Sequence, residues 1–198
     1  MQFILAHWPL TLVCVAMIVA AVIDGWKLKV PNWLTFPLII SGWLLGLCHN
    51  FGWLDGTGVG GIGSALAGTA VGFLLLFPVL AIGAMGEGDV KMQMGFGSWI
   101  GAFYGLEGGA ALWIIWWAFA IAVIIGGVLG AILIVWRGDF QKNLANVREI
   151  LNDLQTKTRE EAAEAARKRK ARMHLLPYGI PLCLGFVAYL VHLHGWVS

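Results

Sequence analysis

Charge is what this chain has least of. Of its 198 residues only 12% are Asp, Glu, Lys or Arg, about half the share of an ordinary soluble domain. With 59% of residues hydrophobic and a mean hydropathy of +0.79, a fold in water would cover its own surface with hydrocarbon, which excludes a soluble globular class. Cysteine is also sparse. Cys14, Cys48 and Cys183 stand far apart with no CxxC pair, so neither a zinc knuckle nor a disulfide framework is indicated, and all three are expected to pack as small hydrophobes. The opening MQFILAHWPL lacks Lys and Arg, so a cleavable signal with a basic n-region is not expected, and the first apolar run reads as a retained span.

Against that scarcity stand 27 glycines and 11 tryptophans. Glycine suits close helix contacts, and an indole suits the headgroup level because its ring is apolar and its N–H polar. A span needs about 20 predominantly apolar residues. The apolar runs are Phe3 to Ile23, Trp33 to Cys48, Gly60 to Ala81, Met94 to Leu106, Ala111 to Trp136 and Leu175 to Val197. Pro31-Asn32 reads as the start of the second helix, and Gly68 and Gly72 permit close approach in the third. The fourth run is short and glycine-rich, either a tilted thin span or a re-entrant piece. Pro177, Pro181 and Gly185 predict bent first turns in the sixth.

Charge orients these runs. If they alternate across a bilayer, the connections 24–32, 83–93 and 137–174 share one side and hold all 13 Lys and Arg. The positive-inside rule then puts those connections in the cytoplasm and both termini outside, and predicts an all-α polytopic membrane protein of about six transmembrane helices. Were the fourth run not to cross, the basic segment 137–174 would fall outside, so the charge pattern favours six spans over five. The chain reads as a single membrane-embedded domain, 1–198, with 137–174 a cytoplasmic, charged, helix-forming insertion between the last two spans. Its cluster Arg167, Lys168, Arg169, Lys170 and Arg172 is a topology signal; without aromatic interleaving it does not call for nucleic acid.

Two carboxylates stand out in this arrangement. Asp24 closes the first span and Asp89 lies in the second cytoplasmic connection, so both are predicted at one membrane face. An ionisable group at such a boundary is costly unless hydrated or paired, and marks a candidate functional site. Two acids that converge suit hydrolysis of a peptide bond, one accepting a proton from water while its protonated partner donates to the carbonyl oxygen. The pair titrates as a unit, so base and acid are not assigned permanently to either. Gly83, Gly86 and Gly88 are expected to permit unusual backbone dihedrals and close approach of a substrate. The residues alone leave open a plainer reading, in which Asp24 and Asp89 cap helices or pair with Lys. Glu87 is expected to face solvent, and Lys91 to neutralise Asp89 or a lipid headgroup.

The segments DGWKLKVPN, from Asp24 to Asn32, and GEGDVK, from Gly86 to Lys91, together with PYGIP from Pro177 to Pro181, resemble the type IV prepilin peptidase family. These are GxGD-type aspartic peptidases of membranes that include the preflagellin peptidases. The resemblance covers nearly the whole chain except Gly138 to Arg172. GxGD alone is a weak signal; its position after several spans and its pairing with Asp24 make the combination specific. The resemblance implies that Asp24 and Asp89 are the catalytic pair, Gly86 and Gly88 the motif glycines, Lys91 the lysine that follows, and Pro31 and Asn32 the helix-start pair. It implies removal of a short basic leader from type IV pilin-like or pseudopilin precursors, after a Gly, at the cytoplasmic face of the inner membrane. Larger members carry an insertion with two CxxC motifs and methylate the new terminus with S-adenosylmethionine. Neither feature is found here, so methyltransferase activity is not expected, and the chain resembles the short branch of tight-adherence pilus systems, with Arg137 to His174 as a departure.

Other classes compete with this reading. A small ion or metabolite transporter would use the two aspartates as ligands in a path open to both sides, and a non-enzymatic assembly scaffold would dock lipid or a partner through the basic arm. Membrane lipids are expected partners in each case. Glu87 and Asp139 are candidate contacts for a basic leader. Nothing calls for a cofactor or a metal. His7, His49, His192 and His194 fall on the predicted outer side at spacings not diagnostic of a metal site, His174 falls on the cytoplasmic surface, and Asp55 and Glu107 are isolated.

Overall fold

The computed structural model describes residues 7–27, 29–54, 57–81, 85–137 and 178–195, with the single positions 148, 152 and 156 between the last two stretches. Most of the 137–174 segment, its basic cluster, Asp139, His174, Pro177, Gly83 and Asp55 lie outside the described residues. The fold is all-α and polytopic. Six α-helices are described: α1 (Trp8–Lys27), α2 (Asn32–Asn50), α3 (Ile62–Ala81), α4 (Glu87–Tyr104), α5 (Ala110–Arg137) and α6 (Gly179–His194). By length and composition α1, α3 and the stretch from Glu107 to Leu133 can each cross a membrane, and α6 is a shorter apolar helix.

α4 explains why the fourth apolar run looked too short. It packs against each of the other five described helices and is buried almost continuously from Asp89 to Ala102. A helix sheathed in protein has no lipid-facing stripe to make hydrophobic, so hydropathy understates its length. The run predicted as Met94 to Leu106 thus belongs, as far as Tyr104, to one helix that begins at Glu87, and Asp89 lies in its first turn rather than in a connection.

Small residues set the spacing of this centre. α3 runs antiparallel to α4, and a Cβ added at Gly68 would strike the Gly97 carbonyl, one at Gly72 would sit 2.6 Å from the Gln93 carbonyl, and one at Gly101 would strike the Ser64 carbonyl. The expected close approach at Gly68 and Gly72 is therefore backbone against backbone. α2 runs parallel to α4: Lys91 Nζ donates to Asn32 Oδ1 (2.9 Å), and Trp99 Nε1 donates to the Leu38 carbonyl (2.9 Å). α1 and α6 are antiparallel, with Asp24 beside Gly179 at one end and His7 beside His194 at the other.

Helix ends differ from expectation where the chain makes specific contacts. α1 does not stop at Ile23 but continues to Lys27, which puts Asp24 inside its last turn. Pro31 is the residue before α2, in extended conformation, and Asn32 opens the helix. α3 starts at Ile62 rather than Gly60, because Val59 and Gly60 donate to the Phe103 and Ala102 carbonyls and cap the end of α4 (2.9 and 3.0 Å). α6 is shorter than the predicted Leu175 to Val197, and Pro181 falls in its first turn, where a missing N–H costs no helical bond.

The tryptophans largely follow the interfacial expectation. Trp26, Trp33, Trp53, Trp113 and Trp136 are exposed at or near helix ends, while Trp99 is buried. Cys14 and Cys183 are buried and Cys48 is partly so; all three are free thiols.

Candidate active site

Asp24 and Asp89 are the only acidic side chains buried among the described residues, at 3% and 6% exposure. Asp24 Oδ2 accepts a hydrogen bond from the Gly179 N–H (2.9 Å). That N–H belongs to the first residue of α6, one of the donors a helix start leaves without an internal partner, and the positive end of the helix dipole favours a carboxylate there. Asp24 thus does what the plainer reading allowed, capping a helix, but the helix is a distant one. Gly179 makes this possible, since a Cβ on it would lie 2.8 Å from Asp24 Oδ2 and 3.0 Å from Asp24 Cβ.

Asp89 is the third residue of α4, whose N-cap is Gly86. The motif glycines provide room rather than unusual dihedrals, contrary to the sequence expectation. Gly86 is ordinary extended backbone (φ −78°, ψ 148°), and none of the positive-φ glycines falls in GEGD. A Cβ on Gly86 would sit 3.2 Å from Asp89 Oδ2, and one on Gly88 would meet the Val30 carbonyl at 2.9 Å. Gly86 therefore keeps the space over the carboxylate clear, and Gly88 lets the α1–α2 connection lie against α4.

The register of α4 against α6 puts the acids at the same level. Phe96 of α4 and Phe186 of α6 stack with ring centroids 4.0 Å apart. Asp89 stands seven residues before Phe96, and Gly179 stands seven before Phe186, about 10 Å along each helix axis. α4 and α6 run in the same direction, so Asp89 and the Gly179 N–H that holds Asp24 sit at one depth. The charge of Asp89 also acts on the Tyr178 phenol, the residue next to Gly179. Both carboxylates thus lie at the level where α6 begins.

The remaining motif residues brace this end. Lys91 Nζ bonds Asn32 Oδ1, lies 4.0 Å from Glu87 Oε2 and sits 5.0 Å from the centre of the Phe36 ring. It acts as a clamp between α4 and the start of α2, where the sequence offered Asp89 or a headgroup as its partner. Glu87 faces solvent, with its side chain 77% exposed. None of the described histidines joins the acids. His7, His194 and Tyr104 gather at the opposite end of the bundle, where the Tyr104 hydroxyl bonds His194 Nε2. His49 bonds the Gly60 and Ala102 carbonyls through Nδ1 (2.9 and 3.0 Å).

Three residues near the acids escaped sequence reasoning: Tyr178, Gly179 and Gln93. The first two stand within PYGIP without a role. Gln93 is a polar residue beside an apolar run, and that intrusion is the signal that could have found it.

Residues 11–135 match the model of the type IV leader peptidase family. The chain belongs to this family. The matched stretch takes in Asp24, Pro31, Asn32 and the whole of GEGDVK, and ends before the charged segment and α6. Among curated relatives, the prepilin leader peptidase/N-methyltransferases of two Burkholderia pseudomallei strains, 1026b and K96243, are each 30% identical over 135 residues. The alignment covers 63% of this chain and 37% of each relative, so the chain spans well under half the length of the relatives it matches. No solved structure matches.

Proposed function

We propose that the chain is an aspartic endopeptidase that cuts the basic leader from type IV pilin-like precursors at the cytoplasmic face of the inner membrane, with Asp24 and Asp89 as its catalytic pair. The observation that carries this reading is the shared depth of the two buried carboxylates at the level where α6 begins. All six helices cross the bilayer in this reading, both termini lie outside, and the 137–174 segment is a cytoplasmic insertion of a single membrane domain.

The proposed chemistry needs one proton shared between the acids. The ionised carboxylate takes a proton from water as the oxygen attacks the peptide carbonyl, and the protonated partner gives its proton to the carbonyl oxygen. The tetrahedral intermediate then collapses with cleavage of the C–N bond. The carboxyl that took the water proton gives it to the departing amine, and a hydroxyl of the intermediate returns a proton to the partner carboxylate, which restores the shared proton. The Gly179 N–H occupies Oδ2 of Asp24 and leaves the other oxygen for this exchange. Glu87, exposed beside Asp89, is placed to attract a cationic leader. The names of the relatives also carry N-methyltransferase; the residues gathered here serve hydrolysis, and hydrolysis alone is assigned to them.

A transporter would need a polar path past the acids. Beyond them Met17, Val13, Phe96 and Phe186 are fully buried and apolar, and no further carboxylate is buried among the described residues, which favours hydrolysis over ion transport. The test is cleavage of a purified precursor with a basic leader, a Gly and an apolar segment by the protein in detergent micelles. Loss of one acid–base partner should cost about 10³-fold or more in rate, so Asp24→Asn and Asp89→Asn are each expected to stop processing while thermal unfolding stays near wild type. Cleavage at a substantial rate by either purified variant would remove the mechanism.

A further inference from the structure

Gln93 is fully buried, with 0% exposure, and neither Nε2 nor Oε1 of its carboxamide has a hydrogen-bond partner among the described residues. Buried polar groups in native proteins are almost always paired, and an exception asks for an explanation.

The faces of α4 fix where the carboxamide stands. Lys91, Gly95, Ser98 and Trp99 meet α2, and Gln93 is on the other side of the helix. Its neighbours one turn on are Phe96, which stacks on Phe186 of α6, and Gly97, which lies against Gly68 of α3. Gln93 therefore projects between α6 and α3, and α5, which packs on both, closes that side. The buried residues of α5, among them Ile114, Ile115, Ala118 and Ala122, are apolar and offer an amide no side-chain partner.

Elimination among the described residues leaves the acids. The buried polar side chains are Asp24, Thr35, Thr69, Asp89, Gln93 and Ser98. The Thr69 and Ser98 hydroxyls donate to the Ala65 and Gly95 carbonyls of their own helices (2.8 Å each), and Thr35 belongs to α2, across α4 from Gln93. Asp89 precedes Gln93 by four residues on one helix, so their Cβ atoms stand about 6 Å apart on a shared face. Helical side chains lean toward the N-terminus, which aims the Gln93 carboxamide at the turn that carries Asp89.

A carboxamide suits an acid that changes its protonation state. Asp24 is met by the Gly179 N–H, which can only donate. In a pair that passes one proton between its members, Asp89 alternates between carboxylate and carboxyl. Gln93 donates from Nε2 and accepts at Oε1, so one side chain serves both forms.

We propose that Gln93 is a positioning residue for Asp89, its carboxamide turning onto the Asp89 carboxyl and holding it in both protonation states of the reaction. The catalytic use of this bond rests on the peptidase reading; the bond itself does not. It forms by rotation of the glutamine side chain, with the backbone of α4 unmoved.

The test reads the bond and its effect separately, on the full chain in micelles. Infrared difference spectra across an acid titration give the C=O bands of protonated carboxyls, and the band missing from Asp89→Asn is that of Asp89. An amide N–H bonded to a carboxyl C=O lowers its frequency, so the Asp89 band is expected to move up in Gln93→Leu and in the unbranched Gln93→Met. Initial rates on a purified precursor are expected to show kcat lowered about 10-fold in both variants with KM unchanged. Thermal midpoints are expected to stay equal or rise, because an unpaired amide has left the interior. An Asp89 band at the same frequency in both variants, or an unchanged kcat, would overturn the proposal. So would a rise in KM at constant kcat, which assigns Gln93 to substrate binding, or a fall in kcat that tracks a fall in thermal midpoint, which assigns it to packing. Cleavage retained by Asp89→Asn would remove the peptidase reading, while the band would still report the bond.

Discussion

Gly179 shows how closely the candidate site is fitted around single residues. Its N–H supplies a bond to Asp24, and the space where a Cβ would stand is taken by the same carboxylate. Gly179→Ala is therefore expected to push Asp24 away from the start of α6. Forced contacts of this kind cost about 1–3 kcal/mol. The expected outcome is a fall of at least about 10-fold in kcat with the protein still folded, read from initial cleavage rates beside a thermal melt; wild-type kcat would show that Asp24 does not need this support. At this scale the two acids were legible, because a carboxylate at the edge of an apolar run is conspicuous. Their supports were not. The Asp24–Gly179 bond joins residues 155 apart in sequence, and no local pattern reveals which N–H a carboxylate will meet. The motif glycines were legible as glycines, but their use is room for Asp89 Oδ2 and Val30 rather than a special dihedral.

Among the elements, α4 carries the arrangement, and its packing on α3 leaves no space for side chains. A Cβ at Gly97 would collide with the Gly68 carbonyl. Since both neighbours are helix backbone, Gly97→Ala is expected to lower stability by about 2–3 kcal/mol, measured as the midpoint of unfolding in mixed micelles; an unaltered midpoint would mean the helices part without cost. The far end of α4 is held differently. His49 reaches from α2 to the Gly60 and Ala102 carbonyls, and its Nε2 meets Thr57 Oγ1 (3.0 Å). His49→Ala leaves these groups short of partners and is expected to cost about 2 kcal/mol, while the acids at the opposite end keep their geometry and cleavage proceeds at near-normal rate. A variant with normal stability would show the contacts to be incidental. The three helices long and apolar enough to cross a membrane were legible by hydropathy. α4 was only half legible, because Asp89, Gln93 and its many glycines answer to neighbouring helices and not to lipid. Histidine spacing carried no information about His49, whose partners are backbone carbonyls.

At the scale of the whole molecule, the helix directions agree with the distribution of charge. α1 ends, and α2, α4 and α6 begin, at the end that holds Asp24 and Asp89. Lys27 and Lys91 stand at that same end, on the last turn of α1 and near the start of α4. Exposed Trp26 and Trp53 lie toward opposite ends of the bundle. In a background with Cys14, Cys48 and Cys183 replaced by alanine, Trp53→Cys is expected to react with a membrane-impermeant maleimide added outside cells, and Trp26→Cys only after the membrane is opened. The reverse pattern would invert the topology. Charge alone predicts this orientation, because lysine and arginine report on sidedness, whereas the way the helices assemble around α4 depends on contacts between distant residues.

The most direct test of the account is whether positions 24 and 89 meet. In the same cysteine-free background, Asp24→Cys and Asp89→Cys are combined and treated in membranes with a short bifunctional methanethiosulfonate. A protease site introduced between α3 and α4 then reports whether the two halves stay linked. The account predicts a cross-link in the double variant and none in either single variant. If both thiols react with a monofunctional reagent yet no length of short linker joins them, the two acids do not share a site, and the proposed chemistry fails with that result.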